Sequence, residues 1–278
     1  MKEPDLKERV RVQFNRQAQR FSRWSVTKNP GYADSYFNFC RMSSDDRMLD
    51  ISCGSGYFCN FCAQHITHAA GVDLSDKMIA LAKQQAMDSG ITNTDFRCGD
   101  AVDLPYEAET FSIVISKSAF HHYSEYHAIF REMKRCCGRQ GRISIQDIAA
   151  YDDRKVNAFF ESFERLVDAS HKVACSKSFI LDLYRQHNVD ILSAMEITID
   201  LNLNDYLDHA VRGEKDAIAL RQWINAGLKD TAVKKYFHFK ENDLFFKRNV
   251  FLILGQKNRL PSWGSLPDWS ESFRLPKH

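Results

Sequence analysis

Arg47-Met-Leu-Asp-Ile-Ser-Cys-Gly-Ser-Gly56 is the stretch on which the fold turns. Met48 to Ile51 is an apolar run carrying one acid. Ser52 to Gly56 is a turn of small residues, and Tyr57 to His65 reads as a helix. A strand, a tight glycine turn and a helix form a nucleotide-binding unit. The glycines tolerate positive φ and let backbone N–H groups approach a ligand where a Cβ would collide. The start of the helix adds partial positive charge. By itself the unit is also consistent with a strand-to-helix turn that binds nothing.

The next elements extend the pattern. About twenty residues on, Ala69-Ala70-Gly71-Val72-Asp73-Leu74-Ser75 is a second apolar strand ending in an acid. That is the spacing at which a carboxylate meets ribose hydroxyls. Phe96-Arg97-Cys98-Gly99-Asp100-Ala101 is a third strand ending in an acid. Phe111-Ser-Ile-Val-Ile-Ser116 is a fourth, and Arg142 to Asp147 a fifth. The spacing predicts helices over 76–89 and 124–137, the first with Ser75 as N-cap and Gly90 just past its end. Strands alternating with helices predict an α/β fold, a mostly parallel sheet with helices on both faces.

From these motifs the chain resembles the class I S-adenosylmethionine (SAM)-dependent methyltransferases, and most of all the small-molecule enzymes related to the quinone-biosynthesis C-methyltransferases. The resemblance runs over roughly 10–257 and is sharp from Met48 to Asp147. It implies a Rossmann-like, seven-stranded, mostly parallel sheet whose last strand, Val250 to Gly255, is antiparallel. It implies SAM as cofactor, S-adenosylhomocysteine as product and a small-molecule methyl acceptor.

The resemblance also assigns roles. Asp50 organises the glycine turn and faces the methionine end of SAM. Ser52, Gly54 and Gly56 stand where the family usually has three glycines, so serine at the first place is a departure. Asp73 accepts from both ribose hydroxyls, a task for a two-oxygen acceptor. Leu74 and Met78 flank the adenine; the other reading of Met78 is core packing. Asp100 takes the adenine amino group, and Ala101 offers its N–H. Lys117 is unusual for its position; from its place at the open end of the fourth strand, it meets either the SAM carboxylate or an acidic acceptor, or is a solvated lysine. Ser112 replaces a frequent, structural Asp.

Candidate bases are His122, Tyr123 and His171, drawn from a group that also holds His121 and Asp147. A histidine titrates near working pH and can take a proton from a phenol or a carbon acid. Phe163 to His171 resembles a stretch that enters the acceptor side. Phe14, Phe21, Trp24, Tyr32, Phe120, Phe159 and Phe163 are expected to line an apolar acceptor pocket. The family's amino-methylating members carry an Asp/Asn-Pro-Pro-Tyr sequence; here it is Ser116-Lys-Ser-Ala119, which opposes a nucleobase amine as acceptor.

Around this domain the sequence divides into a helical cover over 1–42, a SAM-binding domain over 43–257 with helical insertions at about 151–187 and 204–239, and an irregular tail over 258–278. Apolar residues at helical spacing predict helices over 5–20 and 34–42, with Pro30-Gly31 as a break.

Composition narrows the partners. The 278 residues carry 38 Lys and Arg against 36 Asp and Glu, a formal charge of +2. That opposes a strong nucleic-acid footprint. Eight cysteines, six of them in core elements, read as buried thiols of a reducing compartment. Cys59-Asn-Phe-Cys62 has no second pair at ligand spacing, so core packing is preferred to zinc or redox chemistry and no metal is expected. The first residues hold no apolar signal segment, and no run is long enough to span a bilayer. A cytoplasmic protein is expected. Two alternatives stay open: a nicotinamide-dependent oxidoreductase, which the first turn and Asp73 would equally serve, and a catalytically silent SAM-binding module or partner subunit.

Overall fold

The computed structural model describes residues 6–24, 26, 28–210 and 214–258. Five strands, β1 (Arg47–Ile51), β2 (His68–Asp73), β3 (Thr94–Cys98), β4 (Phe111–Lys117) and β5 (Cys137–Ile148), pair in parallel. Three of the four connections between them run through helices, α3 (Tyr57–Ala63), α4 (Asp76–Asp88) and α5 (Tyr126–Cys136). Two long strands, β6 (Val189–Asn202) and β8 (Asp243–Lys257), complete the order β3-β2-β1-β4-β5-β8-β6, with β8 antiparallel to both neighbours. The antiparallel last strand is therefore as expected.

An eighth strand was not. The 204–239 stretch, read as helical, contains α8 (Leu203–Ala210), α9 (Glu214–Gly227) and α10 (Thr231–Lys234), but it ends in β7 (Phe237–Lys240), which pairs with β8. Lys240 pairs with Asp243, leaving Glu241-Asn242 as a two-residue hairpin turn with φ of 51° and 69°. Two left-handed residues are what a hairpin turn matched to strand twist needs. Glu-Asn is a weak sequence signal for it, so the helical reading ran on.

Helix ends follow local chemistry. Ser75 Oγ accepts from Met78 N–H at 3.1 Å and starts α4. Pro30 does not break a helix. It opens α2 (Pro30–Phe39), with Asn29 Oδ1 accepting from Gly31 and Tyr32 N–H groups. A proline's fixed φ suits the first helical turn. The first helix, α1, runs Leu6–Phe21, so the expected start at Asp5 lies outside the described residues. Of the tail over 258–278 only Asn258 is described.

Burial divides into three clusters. One fills the sheet face under α5 and α7 (Lys177–Gln186), another the face under α2 and α3. The third joins α6 (Arg154–Val167) to α8, α9 and the outer ends of β7 and β8. Cys59 and Cys62 are fully buried in the second cluster, and Cys59 Sγ lies 3.6 Å from Ala70 O. No described helix is long and apolar enough to cross a membrane.

The fold brings the carboxyl ends of β1, β2, β4 and β5 to one edge. At such an edge of an open α/β sheet, where strand order reverses, ligands bind.

Candidate active site

Asp50 precedes the last residue of β1 and is 2% exposed. Among the described residues its Oδ1 has no hydrogen-bond partner, and Cys59 Sγ stands 3.8 Å from Oδ2. Burial pushes its pKa from 3.8 to about 7, against the nearby Lys117 charge. An orphaned buried carboxylate oxygen asks for a cationic or N–H partner. This group also makes a pH signature. Its folded pKa lies above the unfolded one, so its contribution to stability is full below the unfolded value and disappears as pH rises through about 7. We expect the ligand-free melting temperature of the wild type to fall between pH 5 and 8 relative to Asp50→Asn, which should lack that component. Parallel curves for the two proteins would assign the effect to other groups.

The turn after Asp50 is left-handed at three places: Ser52 (φ 59°), Gly54 (φ 54°) and Gly56 (φ 73°). A Cβ on Gly56 would stand 2.6 Å from Ala82 Cβ, so this glycine lets α3 and α4 close on the sheet. Ser52 takes a conformation that costs a side chain about 1–2 kcal/mol, and its hydroxyl stands 2.6 Å from Tyr123 Oη. The departure from glycine thus ties the turn to the segment after β4.

Asp73, not Asp50, holds the turn. Its Oδ2 accepts Gly54 N–H and its Oδ1 accepts Ser75 N–H, both at 2.9 Å. Burial raises its pKa to about 6, opposed by these backbone donors. Each oxygen keeps a free lone pair for a hydroxyl.

A small cavity of about 60 Å³ lies between Leu74, Asp100, Ala101 and Val102 on one side and Tyr123 and Ile129 on the other. Asp100 is in place, but it is not idle. Oδ1 accepts Val102 N–H at 3.1 Å, and Oδ2 lies 2.9 Å from Lys7 Nζ, which also reaches Glu125 at 2.7 Å. Met78 reaches neither this cavity nor the larger one. It is fully buried on the sheet-facing side of α4, which supports core packing in place of the adenine role.

The second cavity, about 230 Å³, opens from Asp50, Ser52, Gly54 and Asp73. Phe14, Phe21, Trp24 and Tyr32 form one wall as expected, with Ile197, Ile199, Leu201, Val250 and Leu252 opposite. Phe120, Phe159 and Phe163 do not line it. Phe120 is fully buried in the first cluster, and Phe163 is fully buried in the third with Phe160 of the same helix. Glu164, Val167, Asp168 and His171 from the same stretch take their place.

The histidines gather here, their ring centroids 4.1 Å apart for His121 and His122 and 5.5 Å for His121 and His171. His122 Nδ1 donates to Ser170 O at 3.1 Å, while Ser170 Oγ bonds Asp168 at 2.6 Å. Burial and the neighbouring His121 lower its pKa to about 4, so it is a neutral imidazole. His171 Nε2 lies 3.2 Å from Glu161 Oε2. Burial pushes the Tyr123 hydroxyl well up, which makes it a poor base.

His121 is different. Its Nδ1 lies 2.6 Å from Asp147 Oδ1, whose carboxylate is further fixed by the N–H groups of Phe120 and Ile148. Burial pushes the His121 pKa down, Asp147 pushes it up, and the net direction is up. Asp147 is held low by the same pairing despite its burial. A carboxylate fixing one ring nitrogen leaves the other aimed at a reacting group. The sequence put His121 and Asp147 in the wider group of bases but ranked His122, Tyr123 and His171 above them.

One feature had no sequence signal. Glu164, Tyr206 and Arg248, from α6, α8 and β8, meet in the cavity wall. Tyr206 Oη donates to Glu164 at 2.6 Å, and Arg248 bonds both Glu164 and Tyr206 Oη. Residues 42 apart on each side converge only through tertiary packing.

Residues 49–145 match a methyltransferase-domain family model. The chain is 31% identical over 132 residues to the uncharacterised methyltransferase YcgJ of Bacillus subtilis, covering 48% of this chain and 51% of YcgJ. It is 25% identical over 195 residues to the uncharacterised protein YafE of Escherichia coli, covering 70% and 93%. The chain thus spans about half the length of the first of these relatives. The crystal structure of YcgJ superposes with a TM-score of 0.74 at 21% identity, over 82% of this chain and 98% of that one. A geranyl diphosphate C-methyltransferase from Streptomyces coelicolor, solved with S-adenosylhomocysteine, shares the fold at a TM-score of 0.56 and 14% identity, over 82% and 78%. Residues 49–145 thus carry a methyltransferase domain, and the fold is that of the class I SAM-dependent methyltransferases. That decides between the two cofactors that the first turn left open: the domain's cofactor is SAM.

The residues present fit it. The glycine turn leaves backbone room, Asp73 keeps two free acceptor positions, and Asp50 presents an unpartnered buried oxygen.

Proposed function

We propose that the chain transfers the methyl group of SAM to an oxygen or carbon, or in some acceptors a nitrogen, of a small, largely apolar or aromatic molecule. The observation that carries this is one continuous cavity. It begins at the cofactor-type residues Asp50, Gly54 and Asp73, passes the His121–Asp147 pair, and ends between aromatic and aliphatic walls. Ligand sites of this kind are mostly apolar with few polar anchors.

SAM supplies an electrophilic methyl carbon on a sulfonium. The chain's part is to hold, orient, exclude water and move one proton. Asp50 would take the cofactor's ammonium, Asp73 the ribose, and Asp100 with Ala101 the adenine. His121 would accept the acceptor's proton on Nε2, with Asp147 compensating the imidazolium that forms. His122, neutral and tied to Ser170, would shape the wall beside it. Excluding water strengthens every charge interaction near the sulfonium.

The cover over this space is α1. Phe14, Gln17 and Phe21 line the cavity, while Lys7 ties its first turn to Asp100 and Glu125. A chain starting at residue 29 is expected to keep the sheet, seen as unchanged far-ultraviolet circular dichroism, and to lose most turnover. Full activity in that truncation would make α1 packing without a catalytic consequence.

The deciding experiment is methyl transfer from radiolabelled SAM to a panel of phenols, quinols, enolisable ketones and transfer RNA. Methylation of a small apolar acceptor supports the reading. Binding of SAM with no acceptor anywhere in the panel favours the silent module. Steeply salt-dependent methylation of RNA would overturn the acceptor class.

A further inference from the structure

On the sheet floor of the large cavity, three polar side chains stand in a row on adjacent strands. Asp50 is near the end of β1, Lys117 ends β4, and Gln146 is the residue paired with Lys117 on β5. The residues two steps back along β1 and β4, Met48 and Ile115, are fully buried, and so is Ile113 before them. Leu252, which pairs with Gln146 from β8, is buried too. The row is therefore a polar patch in an apolar floor, and all three members line the cavity.

Its bonding is incomplete. Among the described residues Lys117 makes no hydrogen bond or ion pair; its charge acts on Asp50 and Asp147 at longer range. Burial lowers its pKa. Asp50 Oδ1 and Gln146 Oε1 are buried with no partner. The other cations lining the cavity have carboxylate partners: Arg248 has Glu164, His121 has Asp147, and His171 has Glu161. A buried ammonium without an anion is costly, as is a buried amide oxygen without a donor. Among the described charged cations lining the cavity, Lys117 is the one without a bonded anion, and it stands beside an amide that can turn its NH₂ toward the same point.

We infer that Lys117 and Gln146 form a carboxylate-binding subsite at the open ends of β4 and β5. Lys117 supplies a charge-assisted hydrogen bond to one oxygen, and the Gln146 amide N–H reaches the other. Paired residues on neighbouring strands stand about 5 Å apart, so two donors converge from either side of a planar carboxylate. The inference rests on the methyltransferase reading above. Two molecules of that reaction can bring the group: the cofactor, through its methionine carboxylate with the ammonium on Asp50, or an acidic acceptor.

Calorimetry on the full chain separates them. One pair of probes is S-adenosylhomocysteine and its decarboxylated analogue, 5′-S-(3-aminopropyl)-5′-thioadenosine. The other is a set of arylalkanoic acids and their primary amides, titrated with S-adenosylhomocysteine present. We expect one pair to show a preference for the carboxylate of about ten- to a hundredfold. That preference should vanish in Lys117→Met, weaken in Gln146→Leu and survive in Lys117→Arg, with melting curves showing that each variant folds. Discrimination in the first pair assigns the subsite to the cofactor, and in the second to the acceptor. No discrimination by the wild type in either pair overturns the subsite, as does discrimination that persists in Lys117→Met. Failure of the wild type to bind S-adenosylhomocysteine at all would instead remove the methyltransferase reading. The acid and amide pair, then titrated alone, still tests Lys117.

Discussion

Replacing His121 with alanine is expected to lower kcat by about 10²–10⁴, the usual contribution of a general base. Affinity for S-adenosylhomocysteine should barely change, because the His121 ring bonds Asp147 and none of the proposed cofactor acids Asp50, Asp73 and Asp100. The pH profile makes the assignment specific. A base works when unprotonated, so kcat should climb with pH through the His121 pKa. Asp147 holds that pKa above the ordinary histidine value of 6.5. Asp147→Asn removes the charge that favours imidazolium, so the rise should move to lower pH while the plateau falls. His122→Ala should leave the position of the rise close to that of the wild type, since its own pKa, about 4, lies far below it. Turnover at the wild-type rate in His121→Ala would mean catalysis by alignment, with no base at this position.

Asp73→Ala should weaken binding of S-adenosylhomocysteine by about a hundredfold or more. Two effects act together. The ribose would lose two charge-assisted hydrogen bonds, each about 1.5–3 kcal/mol. The turn would lose the carboxylate that accepts from Gly54 and Ser75, leaving those N–H groups unmatched. Asp73→Asn separates the two, since its remaining oxygen can keep one backbone bond. Its affinity should fall between the wild type and the alanine variant. Calorimetric affinity within threefold of wild type in Asp73→Ala would place the ribose elsewhere.

Much of this was written in local sequence. The strand that ends at Asp50, the turn through Gly54 and Gly56, and the strands ending at Asp73 and Asp100 are short, periodic and punctuated by glycine. Their positions follow from backbone requirements that one segment states by itself. The cofactor acids lie on those same segments, which is why Asp50, Asp73 and Asp100 were found together. Where a local signal was ambiguous, the reading slipped. Pro30 looked like a break and proved a helix start. Glu241-Asn242 gave no strong turn signal and hid β7. Met78 fitted both a ligand wall and a core, and burial on α4 chose the core.

The acceptor side was of another kind. His121, His122 and His171 were all visible as titratable groups, but the sequence ranked them without their partners. What separates them is a partner: Asp147 for His121, Ser170 for His122, Glu161 for His171. Those partners are set by the docking of the turn at residues 120–122 against β5 and of the segment after α6 against both. The sequence determined by itself the parallel strands, the glycine turn and the acids proposed to hold the cofactor, because each depends on residues a few positions apart. Only the tertiary structure decided which histidine is paired with a carboxylate, that Glu164, Tyr206 and Arg248 meet, and that Lys117 stays unmatched. Hydrogen bonding and burial are properties of neighbours in space, and those neighbours come from strands and helices far apart in the chain.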